Sequence, residues 1–216
     1  MHGKMTKLLS LAVCLGVLVA TSAWAAPEKQ LEIGKPAPTF KLPGVDGKTV
    51  ALADLLKKNK AAVVVFTCNH CPVAKDYQDR LIEIQKDYKD KGVAVVAINS
   101  NDAEAYPEDS FENMKKRAKE KEYNFPYLHD ESQRIARAYM ATCTPHVFLL
   151  NPKGTLVYRG AVDDDQDVKK VTKAHLRNAL DSVLADKPVE TTTTKQFGCT
   201  IKWKPKKEKE EGKGKE

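Results

Sequence analysis

Apolar residues recur along this chain in two distinct periods. Residues 61–67 and 93–99 are unbroken apolar runs of strand length, rich in β-branched side chains, the pattern of strands covered on both faces. Between them Val73, Tyr77, Leu81, Ile84 and Tyr88 fall three or four positions apart, as one face of a helix requires, and Gly92 closes that helix. Strand, helix, strand in this order is a βαβ unit, which demands parallel strands and a right-handed crossover. Upstream, the chain reads as an extended segment, a turn at Asp46-Gly47 and a short helix over residues 52–58. Downstream, Asp109 with Glu112 resembles a capping box, opening a charged helix whose Phe111, Met114 and Ala118 form a narrow stripe for a sheet edge. A short strand over residues 125–128 follows, then a helix capped by Asp130 and Gln133 and running through Tyr139. HVFLLNPKGTLVYRG predicts an antiparallel hairpin turning at residues 151–154, and Val168, Val171, His175, Leu176, Ala179, Leu180 and Val183 predict a last helix. From Lys187 the periodicity stops.

Length and charge divide the chain further. At 216 residues with 42% apolar content it holds one domain with appendages. Lys4 and Lys7 precede an apolar run over residues 8–20, and Ala23-Trp24-Ala25 is a small-x-small cleavage pattern, so residues 1–25 read as a secretory signal. The run is shorter than the ~20 apolar residues that span a bilayer. The expectation is export to a periplasm or beyond, with no stable membrane anchor after cleavage and with Cys14 removed. The net charge of +7 shrinks on inspection: the signal takes two lysines, and residues 202–216 hold seven Lys against four Glu. No nucleic-acid partner is implied. The organisation expected is a signal (1–25), a domain (26–186), an extended linker with a Cys199 segment (187–201) and a solvated charged tail (202–216). Phe197 and Trp203 would anchor this end on the domain.

Four cysteines then remain, Cys68, Cys71, Cys143 and Cys199, too few for a disulfide scaffold but suited to redox or metal chemistry outside the cytosol. Cys68 and Cys71 stand where the first apolar run meets its helix. A thiol at a helix N-terminus is pushed toward thiolate, the reactive form, and this places Cys68 as the activated sulfur. Cys68-x-x-Cys71 with Cys143-x-x-His146 would also make a four-ligand set for zinc or copper(I). Cys143 and Cys199 could pair, act as separate exchanging thiols, or extend the dithiol into a relay. Asp163, Asp164, Asp165 and Asp167 lack the glycine and final glutamate of an EF-hand loop and read as a solvated turn with a helix cap. His129 and His175 read as packing or capping residues, and Arg159 as a surface arginine at a strand end or, in a peroxidase, a guanidinium that polarises peroxide.

VVVFTCNHCPVAKDY, CTPHVFLLNPKG, YRGAVDD and FGCTIKW together resemble the exported alkyl hydroperoxide reductase and thiol-specific antioxidant relatives, a peroxiredoxin-like redoxin branch of the thioredoxin fold. The resemblance spans residues 33–185. It implies a three-layer α/β/α domain with a mixed central sheet and an inserted helix. It implies Cys68 as nucleophile, Cys71 as resolving thiol, and Pro145 as a cis-proline facing them, with Thr144 presented to a substrate chain. His70, inside the motif, resembles the histidine of oxidising dithiol proteins, where it stabilises the reduced thiolate. The implied activity is thiol-disulfide exchange on protein thiols and disulfides, reset by a redox partner protein, with no cofactor. Two alternatives stand beside it: a copper- or zinc-binding redoxin, and a peroxidase, since Cys71-Pro72 resembles the peroxiredoxin Cys-Pro. Against the peroxidase, the threonine of Pro-x-x-x-Thr-x-x-Cys is replaced by Cys68 and its proline by Val64.

Overall fold

The structure, a computed structural model, describes residues 30–205. The expected signal, Cys14 and the tail from residue 206 lie outside the described residues.

A small hairpin, β1 (Lys41–Pro43) and β2 (Thr49–Ala51), leads into α1 (Leu52–Lys58). The central strands are β3 (Ala61–Phe66), β4 (Val93–Asn99), β5 (Tyr127–His129), β7 (His146–Leu150) and β8 (Leu156–Gly160), in the order β5-β4-β3-β7-β8. β3 runs parallel to β4, β4 parallel to β5, and β7 antiparallel to both β3 and β8, so the sheet is mixed. The helices are α2 (Pro72–Asp76), α3 (Gln78–Tyr88), α4 (Phe111–Glu120), α5 (Arg134–Tyr139) and α6 (His175–Leu184). Alternation along the strands sorts the core into two layers. Ala61, Val63 and Val65 face Leu81 and Ile84 of α3, Met114 of α4 and Leu176 and Leu180 of α6. Ala62, Val64 and Phe66 face Leu52 of α1 and Ala136 and Tyr139 of α5. All six residues of β3 are buried, as its unbroken apolar run requires. This is the thioredoxin-like three-layer arrangement, with α4 inserted between β4 and β5.

Several local expectations shift. The long helix divides at Tyr77, whose hydroxyl donates to Asp163 Oδ1 at 2.6 Å and whose ring meets Phe197 edge-on. Ser110, not Asp109, caps α4, accepting from the Asn113 N–H. The last helix starts at His175, while Val168 sits 64% exposed in a separate 3-10 turn. The aspartate run is not wholly solvated. Asp164 and Asp167 do accept from backbone N–H groups, but Asp163 is buried and takes both carboxylate bonds from Arg80 Nη1 at 2.8 Å. Arg80 is itself 12% exposed, so Asp163→Ala strands a desolvated cation. The expected loss is ~3 kcal/mol or more, read as a lower urea midpoint at unchanged slope.

Residues 187–201 run against the domain. The Arg159 N–H donates to Thr192 O at 3.0 Å and the Thr194 N–H to Arg159 O at 3.1 Å. Thr194 lies so close to Gly160 that a Cβ there would stand 2.1 Å from its hydroxyl, which only glycine avoids. The segment ends in β9 (Cys199–Thr200), which pairs antiparallel with β6 (Cys143–Thr144).

Candidate active site

β3 ends at Phe66, and the next residues, Thr67 to Cys71, form a loop over the carboxyl end of the sheet, the usual site position in open α/β folds. The two thiols converge on one residue. Cys68 Sγ lies 3.1 Å from Thr144 Oγ1, and Cys71 Sγ donates to Thr144 O at 3.4 Å in its thiol form. The Thr144-Pro145 peptide is cis, so the backbone before Pro145 turns toward both sulfurs.

The helix that follows the loop begins at Pro72, and its cap is Cys71, whose sulfur accepts from the Ala74 N–H at 3.5 Å. This corrects the expectation that Cys68 holds the helix N-terminus: the proline at the first helical position moves the cap to the second thiol. The charge follows the cap. The thiol of Cys71 is held well below the ordinary cysteine range by the hydrogen bond from Cys68, against the cost of burial, with further donors from the Cys199 thiol and the N–H groups of Ala74 and Cys199. Cys68 is pushed up, first by that hydrogen bond to Cys71, then by burial and by the charge of Asp109.

Asp109 organises the loop between the cysteines. It is buried, and each carboxylate oxygen takes two partners. Oδ1 accepts from the Asn69 N–H at 2.6 Å and Asn99 Nδ2 at 3.0 Å. Oδ2 accepts from Asn101 Nδ2 at 2.9 Å and lies 2.6 Å from His70 Nδ1. Asn69 is held further by Tyr127, whose hydroxyl donates to its Oδ1 at 3.0 Å. His70 therefore faces Asp109, with its ring 4.9 Å from that of Tyr106.

The model of the AhpC/TSA family matches residues 33–159, more than half of the chain and all of the loop, β3 and β6. The chain belongs to the AhpC/TSA family. It is 29% identical over 150 residues to the thiol-disulfide oxidoreductase ResA of Bacillus subtilis, covering 69% of this chain and 78% of that one. Among solved structures, an uncharacterized conserved protein from Geobacillus kaustophilus is 49% identical with a TM-score of 0.76, covering 81% of this chain and 93% of its own. A hypothetical protein from Sinorhizobium meliloti is 42% identical with a TM-score of 0.77, covering 82% and 97%.

The other expected residues of this AhpC/TSA protein fall into place around the dithiol or away from it. Cys199, on β9, is set across from Thr144 and packs on Cys68, Cys71 and Ala74. Its thiol is pushed up to about 11 by burial and by Cys71. Cys143 stands across from Thr200 instead, its sulfur 3.7 Å from Pro145 O, so the strand register turns Cys199 toward Cys71 rather than toward Cys143. The four-ligand set of Cys68, Cys71, Cys143 and His146 is not assembled. His146 pairs with Phe66 in the sheet, and its ring lies 4.4 Å from that of Phe148. Burial and the nearby Arg159 push it down to about 3. Arg159 does stand at the end of β8, but it is half-buried: its buried Nε has no hydrogen-bond partner among the described residues and its backbone is paired with residues 192–194. His129 stacks on Phe111.

Among the described residues, one group of three or more candidate metal ligands is close enough to share an ion: Cys68, His70 and Asp109, with donor atoms within 4.8 Å of one another. In the present arrangement their oxygens and Nδ1 are taken by one another and by Asn69, Asn99 and Asn101. Sequence patterning singles out Asp109 only as a helix cap, and Asn99, Asn101 and Tyr127 not at all. The available signal was INSND at the carboxyl end of the second parallel strand, where such folds place their sites.

Proposed function

We propose that this AhpC/TSA-family protein is an exported thiol-disulfide oxidoreductase that acts on protein thiols and disulfides through the Cys68/Cys71 couple. The observation that carries the reading is the convergence of both sulfurs on Thr144, one on its hydroxyl and one on its carbonyl, with the buried Asp109 network fixing the loop between them. A relative named for this activity aligns over 69% of the chain. Export rests on the pattern of the first 25 residues and on cysteine chemistry that suits an oxidising compartment.

Exchange proceeds by attack of a thiolate on one sulfur of a disulfide, which releases the other sulfur as thiolate and leaves a mixed disulfide. The second cysteine of the couple attacks the bound sulfur, closes Cys68–Cys71 and releases the remaining substrate thiol. By resemblance Cys68 makes the first attack, and direct contact with a substrate requires the segment over it to leave. With β9 in place the charge rests on Cys71, and Cys68 is a buried thiol that closes the couple. Reducing or oxidising direction is set by the potential of the pair: near ~−270 mV it serves as a reductant, near ~−120 mV as an oxidant. The purified full-length protein is expected to catalyse reduction of insulin disulfides or oxidation of a dithiol peptide, according to that potential. Peroxide consumption without any disulfide turnover would replace this reading with the peroxidase.

A further inference from the structure

Both sulfurs of the couple are sealed. Cys68 and Cys71 are each 0% exposed, and the cover is the chain's own C-terminal segment. β9 lies along Cys143–Thr144, the two residues before Pro145, with Thr144 opposite Cys199. That is the edge the family resemblance assigns to a substrate chain. The approach is closer than a side chain permits: a Cβ on Gly198, whose φ is +141°, would stand 2.1 Å from Thr144 O. The segment is held well beyond the strand. Lys202 N–H donates to Asn101 Oδ1 at 2.9 Å, Lys202 O accepts from Asp102 N–H and from Gln133 Nε2, and Lys204 N–H donates to Gln133 Oε1 at 2.8 Å. Ile201 is buried in the core, and Trp203 lies under the Arg137 guanidinium at 4.3 Å. This docking delivers one thiol. Cys199 packs against the cluster of Cys68, Cys71 and Ala74, and of the three thiols it is the one that retains solvent access.

We infer that Cys199 is the relay thiol through which the sealed Cys68/Cys71 couple exchanges with the disulfide of a partner protein, passing through a Cys71–Cys199 disulfide. The inference rests on the reading of Cys68 and Cys71 as a redox couple. The exchange takes three steps. Cys199 gives its proton to the Cys71 thiolate as its sulfur attacks the partner disulfide, forming a Cys199–partner disulfide and releasing one partner thiolate. The Cys71 sulfur then attacks the Cys199 sulfur, forming Cys71–Cys199, and its proton leaves with the second partner thiol. Cys68 attacks Cys71, forming Cys68–Cys71, and its proton passes to the departing Cys199 sulfur. One partner disulfide has become a thiol and a thiolate, and the reduced couple has become a disulfide. Run backwards, the same steps carry electrons outward. The packing of Cys199 on the dithiol, with β9 held opposite Thr144, is the geometry the relay needs, because the third sulfur is already delivered to the couple.

Two experiments on the full chain test this, with oxidised glutathione as the disulfide probe. In Cys199→Ser, closure of Cys68–Cys71 by oxidised glutathione is expected to slow by roughly tenfold or more, since a pre-positioned intramolecular step is lost. Closure at or above the wild-type rate would overturn the relay and make β9 a cover that substrates displace. In Cys68→Ser, the same probe followed by non-reducing peptide mapping is expected to give a Cys71–Cys199 disulfide as the main product. A lasting glutathione adduct on Cys71, with Cys199 unmodified, would overturn it. Failure of the underlying reading is separate and visible in the wild type, as the absence of any Cys68–Cys71 disulfide after treatment.

Discussion

Cys71→Ser is expected to reduce disulfide turnover to the uncatalysed background, measured as insulin reduction or dithiol-peptide oxidation. Cys71 is the sulfur that contacts both Cys68 and Cys199, caps the helix beginning at Pro72, and carries the thiolate. What remains is Cys68, a buried thiol pushed up by its surroundings, which without Cys71 has no second sulfur with which to close the couple. Misfolding does not account for the loss, because serine is a strong N-cap and its hydroxyl can accept the Ala74 N–H in place of the sulfur. The same variant has a signature in stability. In the folded reduced protein Cys71 ionises well below its ordinary value of 9.0, so between the two values the unfolded chain binds more protons than the folded one. Stability contributed by Cys71 is therefore complete above pH 9 or so and is lost as the pH falls through its lowered folded value. Urea midpoints of the reduced wild type are expected to rise with pH from acid toward 9, relative to those of Cys71→Ser. A parallel pair of profiles would show that the charge does not reside on Cys71.

Asp109→Asn is expected to have the second largest effect, on stability and on Cys68 together. The carboxylate accepts from four groups, on Asn69, His70, Asn99 and Asn101, and an amide offers one accepting oxygen and a nitrogen that faces donors. Leaving buried donors unpaired costs ~1–3 kcal/mol each, so a loss of about 3 kcal/mol is expected. In a chain of this size that lowers Tm by about 6–12 °C. The loss of charge acts on the dithiol in a definite direction. Cys68 is raised by its hydrogen bond to Cys71, by burial and by the Asp109 anion, and removing the last favours its thiolate. Ultraviolet thiolate absorbance is expected to show the higher-titrating thiol moved down in Asp109→Asn. An unchanged or higher titration would remove Asp109 from the electrostatics of the site and leave it a structural role alone.

What was legible in the chain follows the range of each signal. Local periodicity is enough for β4 at Val93–Asn99 and α1 at Leu52–Lys58, because alternation and helical spacing are read over a few turns. It failed where a distant partner sets the local shape: the helix divides at Tyr77 because Asp163 and Phe197 hold that side chain, and Asp109 leaves its expected capping role to bind the loop between the cysteines. The motif residues Cys68, Cys71, Thr144 and Pro145 were visible as a set through their resemblance to a family, although 73 positions separate Cys71 from Thr144.

The sequence by itself determined the layers, the order of elements and the presence of a dithiol at a strand end, since these depend on hydrophobic period and on residue type. Only the tertiary structure decided which sulfur carries the charge and which third thiol meets it. Those depend on a helix start moved by one proline, on a carboxylate delivered from beyond β4, and on a strand pairing that lays Cys199 across Thr144. The physical reason is that pKa and sulfur contact are set by neighbours within a few ångströms in space, and here Asp109 lies 41 residues from Cys68 and Cys199 lies 128 residues from Cys71 along the chain.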